Sequence, residues 1–102
     1  MSPNRTEDDD RLVEEIYDAL DEGMPERALA SARIALHATP DDPVLHFLAG
    51  VALCEIELPG EAVPEFDRAI DLDPDDPEFR SARAQALFAT CRFAEAKADT
   101  EH

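Results

Sequence analysis

The residues best suited to chemistry are three aspartates, Asp71, Asp73 and Asp75, which alternate through the stretch DLDPDDP. Carboxylates at every second position open a calcium loop, where the first, third and fifth residues supply oxygen ligands. Such a loop also needs a glycine at its sixth position for the sharp turn and a bidentate glutamate at its twelfth. Counted from Asp71, those positions hold Asp76 and Ala82. A near copy, ATPDDP, ends at Pro43, and the positions 34 residues before Asp71, Asp73 and Asp75 hold His37, Thr39 and Asp41, so the alternating carboxylates are not repeated. What recurs is Pro-Asp-Asp-Pro, so the stretch reads as a joint between structural units and no metal is expected.

Other chemistries find no foothold. His37, His46 and His102 have no strong metal-ligand partners at helical spacing, and Cys54 and Cys91 form neither a disulfide framework nor a zinc spacing. The three glycines are scattered, which excludes a phosphate-cradling loop. No nucleophile, base and orienting acid stand where a fold would assemble them. The expectation is a protein that is not an enzyme, with no catalytic residue and no cofactor, because function has to be argued from a site.

Composition narrows the partners. The chain has 102 residues, 44% of them hydrophobic, enough for one compact domain. Its 25 acidic and 9 basic residues give a net charge of −16. Phosphate backbones and anionic lipid would be repelled, so nucleic acid and membrane are not expected partners, and apolar or basic protein surfaces are. No stretch approaches the roughly 18–20 apolar residues of a membrane span. The opening MSPNRTEDDD has no apolar run of the kind a signal peptide needs, so the expected location is cytoplasmic.

Elements come next, and they repeat. Shifted by 34 residues, Pro25 meets Pro59, Ala28 meets Ala62, Ala35 meets Ala69 and Pro40 meets Pro74. Asp41-Asp42-Pro43 meets Asp75-Asp76-Pro77, Ala62 meets Ala96, Gly50 meets Ala84, and Leu53 meets Leu87. Each unit reads as two helices. In the first, 12–20 places Leu12, Ile16 and Ala19 on one stripe beside Val13, Tyr17 and Leu20, Gly23 suits a helix C-cap, and 25–38 follows with proline in its first turn. The second repeats the plan over 43–56 and 59–72, with Pro64 expected to delay or bend the start of its second helix. The third is read as a helix over 77–90 and the beginning of another in FAEAKADTEH. In each joint the aspartates are expected to cap the following helix and favour its positive end.

A helix–turn–helix period of 34 residues with this pattern resembles the tetratricopeptide repeat family. The middle unit fits best, with His46 in the tryptophan slot, Ala49-Gly50 in the Leu-Gly slot, Leu53 in the tyrosine slot, Ala62-x3-Phe66, and Pro74 closing the unit. The first unit has Ile16 where a small residue is usual, and the third has Arg83 in place of a leucine. The resemblance implies an all-α helical solenoid. Its parts are an acidic disordered tail over 1–8, repeats over 9–42 and 43–76, and a partial repeat over 77–102. Small residues at Gly50, Ala62 and Ala84 are expected to let helices approach closely.

It also implies a binding role. The family binds peptides or helices on a concave face lined by the first helix of each unit. By register the lining is Val13, Tyr17 and Leu20, then Phe47, Val51 and Cys54, then Ser81, Gln85 and Phe88. The family's carboxylate clamp uses Lys, Arg and Asn, and Val13, Tyr17, Phe47, Val51, Ser81 and Gln85 supply none of them. A scaffold or adaptor that takes an apolar, basic-flanked peptide or helix is expected in place of a binder of acidic C-termini. Two other roles fit the same residues. One is a chaperone for a secreted or assembly-prone partner. The other is self-assembly, a homodimer formed where the stripe of Phe79, Ala82, Ala86 and Phe93 is expected to lack an intrachain cover.

Overall fold

The computed structural model describes the backbone of residues 7–100 and the side chains of residues 11–91. Five α-helices follow one another: α1 (Glu7–Asp21), α2 (Pro25–Ala38), α3 (Pro43–Glu55), α4 (Pro59–Leu72) and α5 (Pro77–Thr100). Of the acidic tail expected over 1–8, Glu7 and Asp8 open α1, and the remainder lies outside the described residues.

Proline and aspartate set where helices begin. Pro25, Pro43 and Pro59 each stand in the first turn, where a missing N–H has no partner to lose. At the joint before α3, the Val44 amide donates to Asp42 Oδ1 at 3.0 Å. At the joint before α5, the Glu78 amide donates to Asp76 Oδ1 at 2.9 Å. The Pro-Asp-Asp-Pro stretches are thus capped joints, each satisfying one orphan amide of the next helix.

Within each full unit the first helix ends in a left-handed turn. Gly23 sits at φ 75° and, 34 residues on, Glu57 at φ 71°. The Met24 amide donates to the Ala19 carbonyl and the Gly23 amide to that of Leu20, at 2.8 and 3.2 Å. The Leu58 amide likewise donates to Leu53 and the Glu57 amide to Cys54, at 2.8 and 3.1 Å. Both are Schellman motifs, which close a helix on its own last carbonyls.

Small side chains set how closely the helices meet. Ala28, Ala32, Ala35, Ala49, Ala52, Ala62 and Ala69 are wholly buried. A Cβ added at Gly50 would fall 2.5 Å from the Phe66 ring, so α3 and α4 close only because position 50 is bare. Ile16, Leu45, Leu48 and Phe66 are the largest fully buried side chains. His46 pins the inter-unit joint: Nε2–H donates to the Pro40 carbonyl oxygen at 2.8 Å, and Nδ1 stands 2.9 Å from Glu65 Oε1. Its side chain is largely buried, 14% exposed, in the slot that the family's pattern gives to tryptophan.

Three expectations are corrected. Pro64 does not delay α4, which runs from Pro59 to Leu72. The proline removes a donor to the Gly60 carbonyl, but both residues are exposed, so solvent can replace the bond. The third unit does not turn: α5 is one helix through Thr100, because no Gly or Pro interrupts 78–100. And the stripe expected to be bare is covered, for Phe79 and Ala86 are buried and Ala82 packs against the core. Phe93 lies outside the described side chains. With no second helix folded back in the third unit, Ala84 is exposed and serves no close approach.

Candidate binding groove

The helices pack in sequence order, each on the next, and two further contacts decide the shape. The first helices of the three units touch, α1 with α3 and α3 with α5, whereas among the described residues α2 and α4 do not touch. Elements that crowd on one side and spread on the other curve toward the crowded side. The face shared by α1, α3 and α5 is therefore the concave one. The molecule extends 54 × 29 × 20 Å, longer than it is wide, as a stacked array should be.

The structure brings the expected lining residues to these three helices and separates them by depth. Tyr17 is 49% exposed, while Val13 and Leu20 are half-buried against the core. On α3, Phe47, Val51 and Cys54 are half-buried and packed against the core. Ser81 and Gln85 are exposed on α5, and Phe88 is 66% exposed. Phe47 is bound into the structure: its ring lies 5.9 Å from that of Phe66 and 5.1 Å from that of Phe79, both tilted. Such aromatic pairs add about 0.5–1.5 kcal/mol beyond area burial. The Phe47–Phe79 contact ties the second unit to the third, and register could have found it, since Phe79 stands where Leu45 stands in the unit before.

The electrostatics are lopsided. α1 reads EDDDRLVEEIYDALD, eight acidic residues against one arginine. α5 carries Arg80, Arg83, Arg92 and Lys97 against Glu78, Glu95 and Asp99. Arg83 Nε lies 2.7 Å from Asp67 Oδ1 and joins α5 to α4, but both ends are about half exposed. A pair like that contributes about 1 kcal/mol at most. Burial pushes the Cys54 thiol up, and the neighbouring Glu55 carboxylate adds to the effect. That thiol is a packing group, kept from the thiolate form that nucleophiles and metal ligands need.

Two family models described as tetratricopeptide repeat match this chain, one over residues 13–77 and the other over residues 57–98. The chain belongs to the tetratricopeptide repeat family. No curated protein matches it. The five helices are accordingly two full tetratricopeptide units and the first helix of a third, and the family supports a protein–protein interaction module. The tetratricopeptide units here supply no cation or asparagine at the six clamp positions. Among the described residues, no group of three or more His, Cys, Asp or Glu could hold a metal ion, and no helix is long and apolar enough to cross a membrane.

Proposed function

We propose that the groove of α1, α3 and α5 is a non-catalytic docking site for an apolar helix or peptide segment with basic flanks. The observation that carries this reading is the sorting of its lining: an apolar floor of Phe47, Val51 and Cys54 beside the strongly acidic α1. The floor supplies contact area, and the carboxylates of α1 raise the encounter rate of a cationic partner and disfavour an acidic one. Tyr17 gives the partner an amphipathic ring at the acidic end.

A peptide array tests it, with one apolar core carried between Lys/Arg, neutral or Asp/Glu flanks. The expected order of binding is basic over neutral over acidic, with the gap narrowing as salt rises. Enrichment of acidic C-termini would overturn the reading. Phe47 is a poor site for the control variant, because its loss would also break the Phe66 and Phe79 contacts. Tyr17→Glu is better placed: half exposed, it should weaken binding roughly tenfold or more while leaving the fold intact.

A further inference from the structure

The acidity along the groove is concentrated at one end. Tyr17, Val51 and Gln85 stand at one register, 34 residues apart, and make a row across α1, α3 and α5. Around α1, Glu14 and Asp21 lie within about 60° of Tyr17, one turn to either side. Both are exposed. Their counterparts on α3 are Leu48, which is buried, and Glu55, which is exposed. On α5 they are Ala82 and Ala89. At equivalent places the row passes from two carboxylates to one and then to none.

The other charges follow the same course. Among the described side chains, α1 carries Glu14, Glu15, Asp18 and Asp21 against Arg11, and α3 carries Glu55 beside His46. α5 carries Glu78 against Arg80, and its Arg83 is paired with Asp67 of α4. Glu78 shares the face of Gln85 but stands about 10 Å from it along the axis, outside the screening length of about 8 Å at physiological ionic strength. Packed helix axes lie about 8–10 Å apart, so α1 and α5 are roughly 16–20 Å apart across α3. That is about two screening lengths, and a cation over Gln85 gains little from the carboxylates of α1.

We infer that the groove reads charge at one end of its partner only. The occupant is an extended segment that crosses the three helices, basic where it lies over Tyr17, apolar over Val51 and neutral over Gln85. This rests on the docking function proposed above and gives it a direction. Six or so residues of extended chain span roughly 20 Å, the distance from α1 to α5. Extended backbone leaves N–H and C=O groups open, and at the neutral end the exposed Gln85 amide and Ser81 hydroxyl supply both donors and acceptors for them.

Synthetic peptides test this, each with a six-residue core of alternating Leu and Ser, read by fluorescence anisotropy at low and physiological salt. Two lysines stand at the amino end, the carboxyl end, both ends or neither. At low salt the better one-ended peptide should bind about tenfold tighter than the peptide without lysine, and lysines at the second end should add less than about twofold. A benzophenone beside the lysines of that peptide should cross-link to α1, and one at its far end to α5. Glu14→Lys with Asp21→Lys should remove the gain from lysine. Glu26→Lys with Asp71→Lys, the same charge change at exposed sites on α2 and α4, should keep most of it, with wild-type circular dichroism in both variants. Equal gains from the two ends, or a lysine-end benzophenone that labels α5, overturns the inference and leaves the docking function standing. An equal loss in the two double variants does the same, because the charge is then read from the whole molecule. Failure of every peptide to bind overturns both.

Discussion

Position 50 shows how one atom sets an interface. Gly50 is in the middle of α3, where glycine costs a helix about 1 kcal/mol relative to alanine. Gly50→Ala would recover that propensity but place a methyl carbon 2.5–2.8 Å from the Phe66 ring, itself 1% exposed and unable to swing into solvent. Overpacking of this kind costs about 1–3 kcal/mol, so the net expectation is a loss, read as a lower urea midpoint. Ala84 at the same register meets no such wall, and Ala84→Gly should cost about 1 kcal/mol through helix propensity alone. The two thiols differ in a similar way. Cys54 is half-buried with its thiol pushed up by desolvation, whereas Cys91 is exposed. Raising the pKa lowers the thiolate fraction near neutral pH, so iodoacetamide should modify Cys91 well before Cys54, and the Cys54 rate should climb as pH rises. A bound groove ligand should slow Cys54 further and leave Cys91 unchanged.

At the scale of the element, helix ends carry the testable content. Both joints rest on one aspartate, and Asp42→Ala or Asp76→Ala should each cost about 0.5–2 kcal/mol by freeing an N-terminal amide. Asp42 stands between two units that are packed on both sides, so its loss should be the larger. Both reach a chemical denaturation curve as a reduced midpoint. The turn after α3 runs the other way. Glu57 is a non-glycine residue at φ 71°, where a side chain costs roughly 1–2 kcal/mol against glycine. Part of that returns as unfolded-state entropy, so Glu57→Gly should stabilise by a few tenths to about 1 kcal/mol. Its counterpart is already Gly23, and Gly23→Ala should destabilise although nothing lies within 4 Å of the added carbon.

For the whole molecule, stability follows the stacking. α3 touches α1, α2, α4 and α5, whereas α1 and α5 are the outermost of the described helices. In a quasi-one-dimensional array each unit leans on its neighbours and the ends open first. Amide hydrogen exchange should therefore be slowest in α3 and faster toward the outer ends, rather than uniform across the helices. The same ordering bears on the proposed groove, since Phe47, Val51 and Cys54 lie on the helix expected to be most protected and Tyr17 on an outer one. A partner that engages both should slow exchange in α1 most.

The amino-acid sequence by itself determined the repeat. Prolines at 34-residue spacing can stand only at helix starts and joints, so their register fixed helices α2, α3 and α4 to within a residue or so. The aspartates of DLDPDDP followed from the same logic, for capping is a local exchange between one side chain and amides two residues on. Other features were decided in three dimensions. Glutamate at 57 gives by its type no sign of a left-handed backbone, and only its register with Gly23, 34 residues before, points to one. Whether a stripe is covered was not legible either. Phe79 and Leu87 are both large, apolar and on one helix, and only the folded packing tells them apart: Phe79 is buried beside Phe47 of α3, whereas Leu87 is 45% exposed. Local rules say where a helix begins. Which of its faces meets another depends on contacts among residues far apart in the chain, and on where, for want of a glycine or proline, a helix fails to turn.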